Sequence, residues 1–564
     1  MKEVKENHID HHLTSLIVEE ENNECNRKMS FFNPLSRRFH VMIFVMLGYS
    51  IMVFAKINLS ITMTCMVNST SVILKSLGNK NIDSELTNIP TQCLSRNDIT
   101  ISNTTITITK LSNIINDYGG TLDWDTHIQS TIISGTFWGA LFTVLPSGIL
   151  VDHFSPKIIF LLAGLTYATT SIIFPYLAQN FTYHYAFFDR VIMGLGEGFL
   201  LPAANTLISR WIPKVERGTA ATILTAGNQI AGAGGNPISG FLCSSSLGWQ
   251  AVFYLCAFIL IIWGLLFGLT VQSRPSKDRW ITEREKVWLE KELHHQGAFK
   301  KRPALSKIPF KSILTSLPFL AVILNQFTAN VVIVIIQFYI PTFLKEALYL
   351  KVSDNGLISA SPHIIQFIIK FAWSSFLEKL QKSNKITPTT ASKVSQLLSG
   401  VFVFISFVCI PLTLNCTRPL ITIILFISAA CGFGFCVCGY YTSLLNLAPS
   451  YTGVLTSISM VVAFVGRLSG PKLVSYFRSN GLVEEWNSIF YTSSFIYFIT
   501  SLFFFLCGSS EPQRWGEIHE VQVMVEDGKI IKDVVCEESG DEEEDKEIGI
   551  INKSTLDISS LNNI

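Results

Sequence analysis

Long apolar stretches recur along the chain and constrain its structure more than any other feature. Each has 18 residues or more, which lets an α-helix cross the roughly 30 Å hydrocarbon core of a bilayer. A segment in lipid must satisfy its own backbone hydrogen bonds, so each stretch is expected to be helical. We therefore predict an all-α polytopic membrane protein with twelve transmembrane helices. The stretches lie near residues 39–66, 128–151, 158–178, 186–209, 218–242, 249–271, 318–344, 355–377, 393–414, 419–445, 452–476 and 488–508.

The composition agrees with this prediction and argues against other classes of protein. Charged residues make up 15% of the 564 residues, against about 25% in soluble proteins. The formal net charge of +1 leaves no basic excess, so we expect membrane lipids as surroundings and no nucleic-acid partner. The twelve cysteines lack the spacing of a metal site, and we expect neither a metal nor an organic cofactor.

The twelve stretches form two groups of six. The predicted N-terminal half covers 38–271 and the C-terminal half covers 318–508. The polar central segment 272–317 carries eleven Lys and Arg, whereas the loop 67–126 carries four. Because Lys and Arg collect on the cytosolic side of a membrane, we predict that the central segment and both termini are cytosolic. The loop 67–126 then lies on the opposite side.

Four glycosylation sequons agree with this orientation. Asn68, Asn103, Asn180 and Asn415 each begin an Asn-X-Ser/Thr motif, and each falls on the predicted non-cytosolic side. Only Asn residues on that side can be modified. We therefore predict a glycoprotein that is modified at these positions.

The segments outside the two halves are polar. Residues 1–37 form the predicted N-terminal tail, and residues 509–564 form an acidic tail containing EESGDEEEDKE. Like-charge blocks of low hydrophobicity are typical of disordered segments, so we expect the acidic tail to solubilise the chain or to dock a cytosolic partner.

Within the central segment, WITEREKVWLEKEL interleaves apolar and charged residues and predicts an amphipathic helix at the membrane surface. We expect a monomer.

One carboxylate stands inside the fourth stretch. Glu197 lies within GLGEGFLLPAANTLISRW, residues 194–211, and a charged group at that depth costs a few kcal/mol unless it has a function or a partner. Arg190 is two helical turns earlier on nearly the same face, about 10 Å away along the axis. Asn205 is two turns later, so the three side chains are expected along one wall. Burial and a nearby cation together make Glu197 a candidate proton carrier.

Lys56 in the first stretch is the candidate partner of this carboxylate. It could bind an acidic substrate group, or it could pair with Glu197, so that protonation of the acid frees the cation for an anion. Asn205 and Asn330 are further candidate substrate ligands, although buried amides also bridge helices. We assign Arg190 a structural or gating role.

Two sequence motifs resemble those of a known superfamily. The loop GILVDHFSPK, residues 148–157, contains Asp152 and resembles the loop signature of the major facilitator superfamily. SSFLEKL, residues 374–380, resembles a second copy, as expected for two related halves. RVIMGLGEGFLLPAANTLISRWIPKVERG resembles the fourth-helix signature of the anion:cation symporter family. That family includes sialin, the vesicular glutamate transporters and the type I sodium/phosphate cotransporters.

The resemblance implies a fold and a function. It implies the major facilitator fold, with Asp152 at a gate between the halves. It also implies secondary active transport of a small organic anion or inorganic phosphate by alternating access, coupled to H⁺ or Na⁺. The expected location is the plasma membrane or a lysosomal or vesicular membrane.

Several positions depart from the family pattern. The family usually has Arg at Lys56, often His at Asn205, and often an ionisable residue at Ala329. Lys370 and Arg467 stand where it is usually apolar or small, and the sequence assigns them no role. These departures leave the substrate open, and they motivate an alternative: a transport-deficient sensor or scaffold of the same fold. Because no recognisable catalytic motif is present, we expect no enzyme.

Overall fold

The computed structural model describes residues 32–33, 35–77, 116–295, 309–414, 418–448, 451–478, 483–513, 515, 523–526 and 529–532. Twelve long helices dominate this part of the chain and confirm the predicted all-α membrane fold. They are α1 (Arg37–Met66), α2 (Thr126–His153), α3 (Pro156–Asn180), α4 (Tyr183–Trp211), α5 (Lys214–Ser244), α6 (Gln250–Thr270), α7 (Leu317–Ala347), α8 (Val352–Lys382), α9 (Pro388–Thr413), α10 (Pro419–Asn446), α11 (Thr452–Phe477) and α12 (Glu485–Cys507).

Successive helices run in opposite directions and define two faces of the bundle. Odd-numbered helices end, and even-numbered helices begin, at the face that carries the α1–α2 connection, which we call the loop face. The opposite face, the terminal face, carries the residues before α1, the α6–α7 connection and the residues after α12. In the described residues, ten helices are long and apolar enough to cross a membrane. The other two long helices are α5 and α8.

Helices α5 and α8 are each 31 residues long but more polar than the other ten. They pack along each other at the boundary between the two halves. Asn236 Nδ2 donates to the Ser359 carbonyl oxygen at 3.1 Å. A Cβ at Gly240 would lie 3.0 Å from the Gly356 Cα, so the two backbones nearly touch. Polar side chains of these two helices can therefore form hydrogen bonds within the protein and need not all face lipid.

Glycines also bring α2 and α4 together within the N-terminal half. A Cβ at Gly139 would lie 2.0 Å from the Val191 carbonyl oxygen, and one at Gly194 would lie 2.1 Å from the Thr136 carbonyl oxygen. No side chain fits at these positions, so the two helices pack backbone to backbone. This close packing fixes the position of α4, which carries Glu197.

Two helices of the C-terminal half are interrupted. Helix α7 contains a π-helical segment, Ile335–Tyr339, and α10 contains another, Val437–Tyr441. Inside the second segment Gly439 has a non-helical backbone (ψ −116°). Segments of this kind shift the helix register and are frequent at functional sites. The apolar sequence pattern predicts uninterrupted helices here, because both segments remain apolar.

The central segment contains the predicted amphipathic helix, Glu283–His295. Glu285 accepts hydrogen bonds from the Ser36 hydroxyl at 2.7 Å and from the Arg37 backbone at 2.9 Å. The Arg38 guanidinium lies over the Trp288 ring, 4.6 Å from its centroid. The helix is therefore attached to the start of α1. A short helix, Phe310–Thr315, precedes α7, and residues 296–308 between the two lie outside the described part.

Smaller elements lie at both ends of the bundle. On the loop face, a helix Ser69–Leu77 follows α1, and Val67 forms an isolated parallel bridge with Leu122. Within the acidic tail, strand β1 (Val523–Glu526) pairs with β2 (Lys529–Lys532) in an antiparallel hairpin. The tail segment with EESGDEEEDKE lies outside the described residues, as does most of the predicted N-terminal tail.

Candidate functional site

Glu197 is the middle residue of α4 and the centre of a polar cluster in the bundle. Its Oε1 accepts a hydrogen bond from the Lys56 ammonium on α1 at 2.6 Å. Both residues are more than nine-tenths buried. The sequence left Lys56 with two alternatives, and the structure shows it paired with the carboxylate. A buried charge pair of this kind needs further partners to offset its desolvation.

Two further side chains satisfy the carboxylate. The Tyr167 hydroxyl on α3 donates to Oε2 at 2.6 Å. The Arg467 guanidinium on α11 contacts Oε1 through Nη1 at 3.3 Å. Since Arg467 belongs to the C-terminal half, this ion pair connects the two halves at mid-bundle. The sequence assigned no role to Arg467, and its only signal was a cation within an apolar stretch.

Asn330 on α7 orients this arginine. Its Oδ1 accepts a hydrogen bond from Arg467 Nε at 2.9 Å, while its Nδ2 donates to the Gln326 carbonyl oxygen at 2.7 Å. The amide is therefore fixed at both ends and holds the guanidinium towards Glu197. We refer to Lys56, Tyr167, Glu197, Asn330 and Arg467 as the central cluster.

The central cluster carries more positive than negative charge. Lys56 and Arg467 are cationic, Glu197 is the single acid, and Tyr167 and Asn330 are neutral. Because charges are screened weakly away from water, this excess attracts anions. The Arg467 side chain is 26% exposed, whereas that of Lys56 is 8% exposed. The open side of the cluster is therefore at Arg467.

Arg190 lies apart from the central cluster although it shares helix α4 with Glu197. It is fully buried, and its guanidinium lies 3.9 Å from the Phe174 ring centroid and 5.3 Å from that of Phe253. Among the described residues, its Nε and Nη2 have no hydrogen-bond partner. The expected common wall of Arg190, Glu197 and Asn205 is thus not formed at Arg190.

The remaining predicted positions are placed as follows. Asn205 is exposed on α4, and among the described residues it forms no hydrogen bond with the central cluster. Asp152 lies in the last turn of α2, but its side chain is outside the described part. Asn68 and the exposed Asn180 both lie on the loop face. Asn103 and Asn415 fall outside the described residues.

A second set of contacts joins the halves at the loop face. Lys345, near the end of α7, is buried and donates to the Thr64 carbonyl oxygen and to the Ser69 hydroxyl, each at 2.7 Å. Asn116 Nδ2 donates to the carbonyl oxygens of Lys345 and Leu350, each at 3.0 Å. The loop before α2 is therefore bonded directly to the C-terminal half.

Tyr118 completes this contact. Its hydroxyl donates to the Leu350 carbonyl oxygen at 2.5 Å, and its ring lies 4.7 Å from Lys345 Nζ. Burial raises the pKa of this phenol, so it remains a neutral hydrogen-bond donor at physiological pH. A Cβ at the nearby Gly120 would lie 2.3 Å from the Val67 carbonyl oxygen, so this position requires glycine. These contacts join the two halves at the loop face.

Comparison with known proteins identifies the fold and the family. The family model of the Major Facilitator Superfamily matches residues 90–471, which is more than half of the chain. The chain belongs to the major facilitator superfamily. An uncharacterized transporter, slc-17.3 of Caenorhabditis elegans, is 36% identical over 512 residues, covering 89% of this chain and 94% of the relative.

Further relatives specify the branch of the superfamily. Human sialin is 26% identical over 481 residues, covering 85% of this chain and 91% of sialin. Vesicular glutamate transporter 2.2 of Danio rerio is 27% identical over 436 residues, covering 77% of this chain and 73% of the relative. This major facilitator protein is a member of the anion:cation symporter family, as its fourth-helix motif suggested.

Two solved structures share the fold of this chain. The D-xylose-proton symporter superimposes with a TM-score of 0.55 at 13% identity, covering 84% of this chain and 98% of that protein. A bacterial homologue of Spinster, solved in an inward-facing, unoccupied conformation, gives a TM-score of 0.53 at 16% identity, with coverages of 84% and 97%. These likenesses show the fold. The family model and the relatives make this chain a multi-pass membrane transporter of the superfamily, and those relatives are transporters, not enzymes.

Proposed function

We propose that the protein is a secondary active transporter of a small organic anion or inorganic phosphate, coupled to H⁺ by alternating access. One observation carries the proposal: Glu197 binds Lys56, Tyr167 and Arg467 at the middle of the bundle, between the two halves. Substrate and ion sites of such transporters lie near the midplane at the boundary between the repeats. The relatives include sialin and a putative inorganic phosphate cotransporter of Drosophila ananassae.

The exchange of partners at Glu197 supplies the coupling. While Glu197 is ionised, it neutralises Lys56 and contacts Arg467, so a substrate anion must compete with it for both cations. Once it is protonated, both cations are left without a carboxylate in a weakly screened site. The cost of that state is offset when an anion binds, so a proton and an anion bind together more readily than either alone.

The geometry favours H⁺ over Na⁺ as the coupling ion. Both carboxylate oxygens of Glu197 already accept hydrogen bonds, and Oε1 contacts two cationic groups. A sodium ion at this oxygen would be repelled by the ammonium and the guanidinium. A proton adds to the carboxylate without needing further oxygen ligands.

Uptake into proteoliposomes tests the proposal. The full chain and a Glu197→Gln variant would be supplied with radiolabelled phosphate, glutamate, sialate, urate, ATP and a neutral sugar, under imposed pH, Na⁺ and voltage gradients. We expect the wild type to accumulate at least one anion when the donor side is acidified. Glu197→Gln, which mimics the protonated acid, should lose this accumulation but still exchange labelled for unlabelled anion.

Retained exchange shows that the variant is folded. Asp123→Asn is the matched control, because Asp123 is an exposed acid that pairs with Lys75 on the loop face, and it should accumulate anion normally. Accumulation driven by Na⁺ alone would overturn H⁺ coupling. If the wild type binds an anion but transports none, the protein is a substrate sensor and the proposal of transport is wrong.

We further propose that the terminal face is cytosolic, in a plasma, lysosomal or vesicular membrane. The eleven basic residues of 272–317 support this orientation, and so do Asn68 and Asn180 on the loop face. An epitope tag at the C-terminus should be digested by protease added to sealed microsomes, while a glycosidase shifts the chain only after permeabilisation. Protection of the tag would reverse the orientation. With this orientation, the contacts of Lys345, Asn116 and Tyr118 join the halves on the non-cytosolic side.

A further inference from the structure

Arg467 is the part of the central cluster that the exchange at Glu197 does not explain. Lys56 alone would neutralise the carboxylate, and its ammonium is closer to Oε1, at 2.6 Å against 3.3 Å for Arg467 Nη1. The guanidinium nevertheless reaches the same oxygen from the other half. A second cation at an already neutralised acid is costly to desolvate, so its position calls for a further partner.

The contacts of Arg467 leave part of the guanidinium available. Nε donates to Asn330 and Nη1 contacts Glu197, while within the described part of the chain Nη2 has no protein acceptor. The side chain is 26% exposed, the most open of the three charged groups. Nη2 can therefore donate to an acidic group at once, and when Glu197 is protonated and releases Nη1, the two nitrogens can bind that group through two parallel hydrogen bonds.

We infer that Arg467 is a second substrate-binding cation and that the site selects an anion carrying two negative charges. The inference rests on the proposed function and specifies its substrate class. With Glu197 protonated, Lys56 and Arg467 together present two positive charges from opposite halves. A doubly charged anion neutralises both and bridges the halves in place of Glu197, whereas a monoanion leaves one of the two cations unpaired.

The alternative is that Arg467 only holds the halves together through Glu197. The two alternatives predict different ligand selectivity. A structural arginine would alter stability and uptake of all anions equally, because it contacts none of them. A substrate-binding arginine determines how strongly a second negative charge on the ligand is preferred, so its replacement changes the ratio of two affinities.

Two pairs of probe anions measure this ratio. Succinate and succinamate share a skeleton and differ by one carboxylate. Sulfate and methyl sulfate differ by one charge within a single tetrahedral group. Dissociation constants would be obtained from ligand-induced thermal stabilisation of the purified full chain, at a pH where the acid groups of the four probes are ionised. We expect the dianion of at least one pair to bind about tenfold tighter than its monoanion, and the responding pair distinguishes a dicarboxylate from a compact, phosphate-like dianion.

Variants at Arg467 assign the preference. In the pair that responds, Arg467→Gln should bring the ratio of the monoanion to the dianion dissociation constant close to one. Arg467→Lys keeps the positive charge and should retain most of the preference for the dianion. Lys370→Gln is the matched control: Lys370 is another buried cation within a helix, but it donates to Thr225 at 2.6 Å, away from Glu197. Its removal should leave the ratio unchanged. The lysine variant also covers the case in which the glutamine variant does not fold.

The result that overturns the inference differs from failure of the proposed function. If an anion accumulates in the uptake assay but monoanions bind as tightly as dianions, or the preference survives Arg467→Gln, then the inference is wrong and the transporter remains. If none of the four probes binds and none of the uptake panel accumulates, both fail together.

Discussion

The two halves of this protein differ in where they carry charge and where their helices bend. In the N-terminal half, α1 and α4 are uninterrupted and supply the Lys56–Glu197 pair. In the C-terminal half, α7 and α10 are interrupted by π-helical segments, and the second cation of the central cluster comes from α11. The N-terminal half thus supplies the acid and its nearest cation, whereas the C-terminal half supplies the interrupted helices.

This difference suggests that the two halves have different roles in the transport cycle. The π-helical segment of α7 contacts the N-terminal half directly: Ser60 donates to the Phe338 carbonyl oxygen at 3.1 Å, and the Tyr339 hydroxyl donates to Ser130 at 3.0 Å. A bend at an interrupted helix can change these contacts while α4 keeps Glu197 in place. The N-terminal half would then hold the coupling group and the C-terminal half would move the gate.

The largest effect is expected from separating the central charge pair. Glu197→Gln leaves Lys56 buried without a carboxylate, and we expect a loss of about 3–5 kcal/mol in folding stability. Lys56→Met should cost less, because Glu197 keeps Tyr167 and Arg467. The double variant should lose less than the two single changes added together. Apparent melting temperatures of the purified chain in detergent would rank the four proteins.

The C-terminal half offers a matched ion pair for this measurement. Arg478 binds Glu346 at the loop-face end of α7, and Glu346 also accepts from the Trp486 indole at 3.1 Å. This pair is also largely buried, with side chains 5% and 18% exposed, but Glu346 balances one cation whereas Glu197 contacts two. Glu346→Gln should therefore cost about 1–3 kcal/mol, less than Glu197→Gln. A loss at Glu346 that equals the loss at Glu197 would contradict the prediction that the central charge pair is the more costly one to break.

Much of the fold follows from the sequence alone. Twelve apolar stretches, a basic central segment and the fourth-helix motif predict the helices, the two halves and the family. The pairing of Lys56 with Glu197 was one of two alternatives from the residues themselves, because two opposite charges in apolar stretches must either meet or carry a ligand. Tyr167, which also lies in the N-terminal half and donates to Glu197, was not predicted, because a tyrosine within an apolar stretch gives no signal of its partner.

Contacts between the halves could not be predicted in this way. Arg467 and Glu197 are 270 residues apart, and nothing in their neighbouring residues shows that α11 faces α4. The same holds for Lys345, which binds the end of α1 although it follows a typical apolar stretch. The interruptions of α7 and α10 depend on packing as well. These features are set by how the halves dock, which apolar periodicity does not encode.

A smaller effect is expected from glycines that permit close packing in each half. Gly194→Ala places a Cβ 2.1 Å from the Thr136 carbonyl oxygen, a backbone atom that cannot turn away. We expect a loss of about 1–3 kcal/mol. Gly439→Ala in the interrupted part of α10 places a Cβ 2.7 Å from Gln396 Oε1 and 3.1 Å from its Cα. Gln396 is buried and its amide donates to Asn325 Oδ1 at 2.9 Å, so we expect a stability loss of similar size.

The two glycine variants should differ in transport although their stability losses are similar. If the C-terminal half supplies the bend, Gly439→Ala slows uptake more than its stability loss explains, while Gly194→Ala lowers the amount of folded protein but leaves the rate per folded molecule nearly unchanged. Gly453→Ala is the control, because a Cβ there has no neighbour within 4 Å. Initial uptake rates, normalised to the folded fraction from size-exclusion chromatography, separate these effects. If Gly194→Ala loses more of the normalised uptake rate than Gly439→Ala, the moving elements lie in the N-terminal half and the proposed roles of the two halves are reversed.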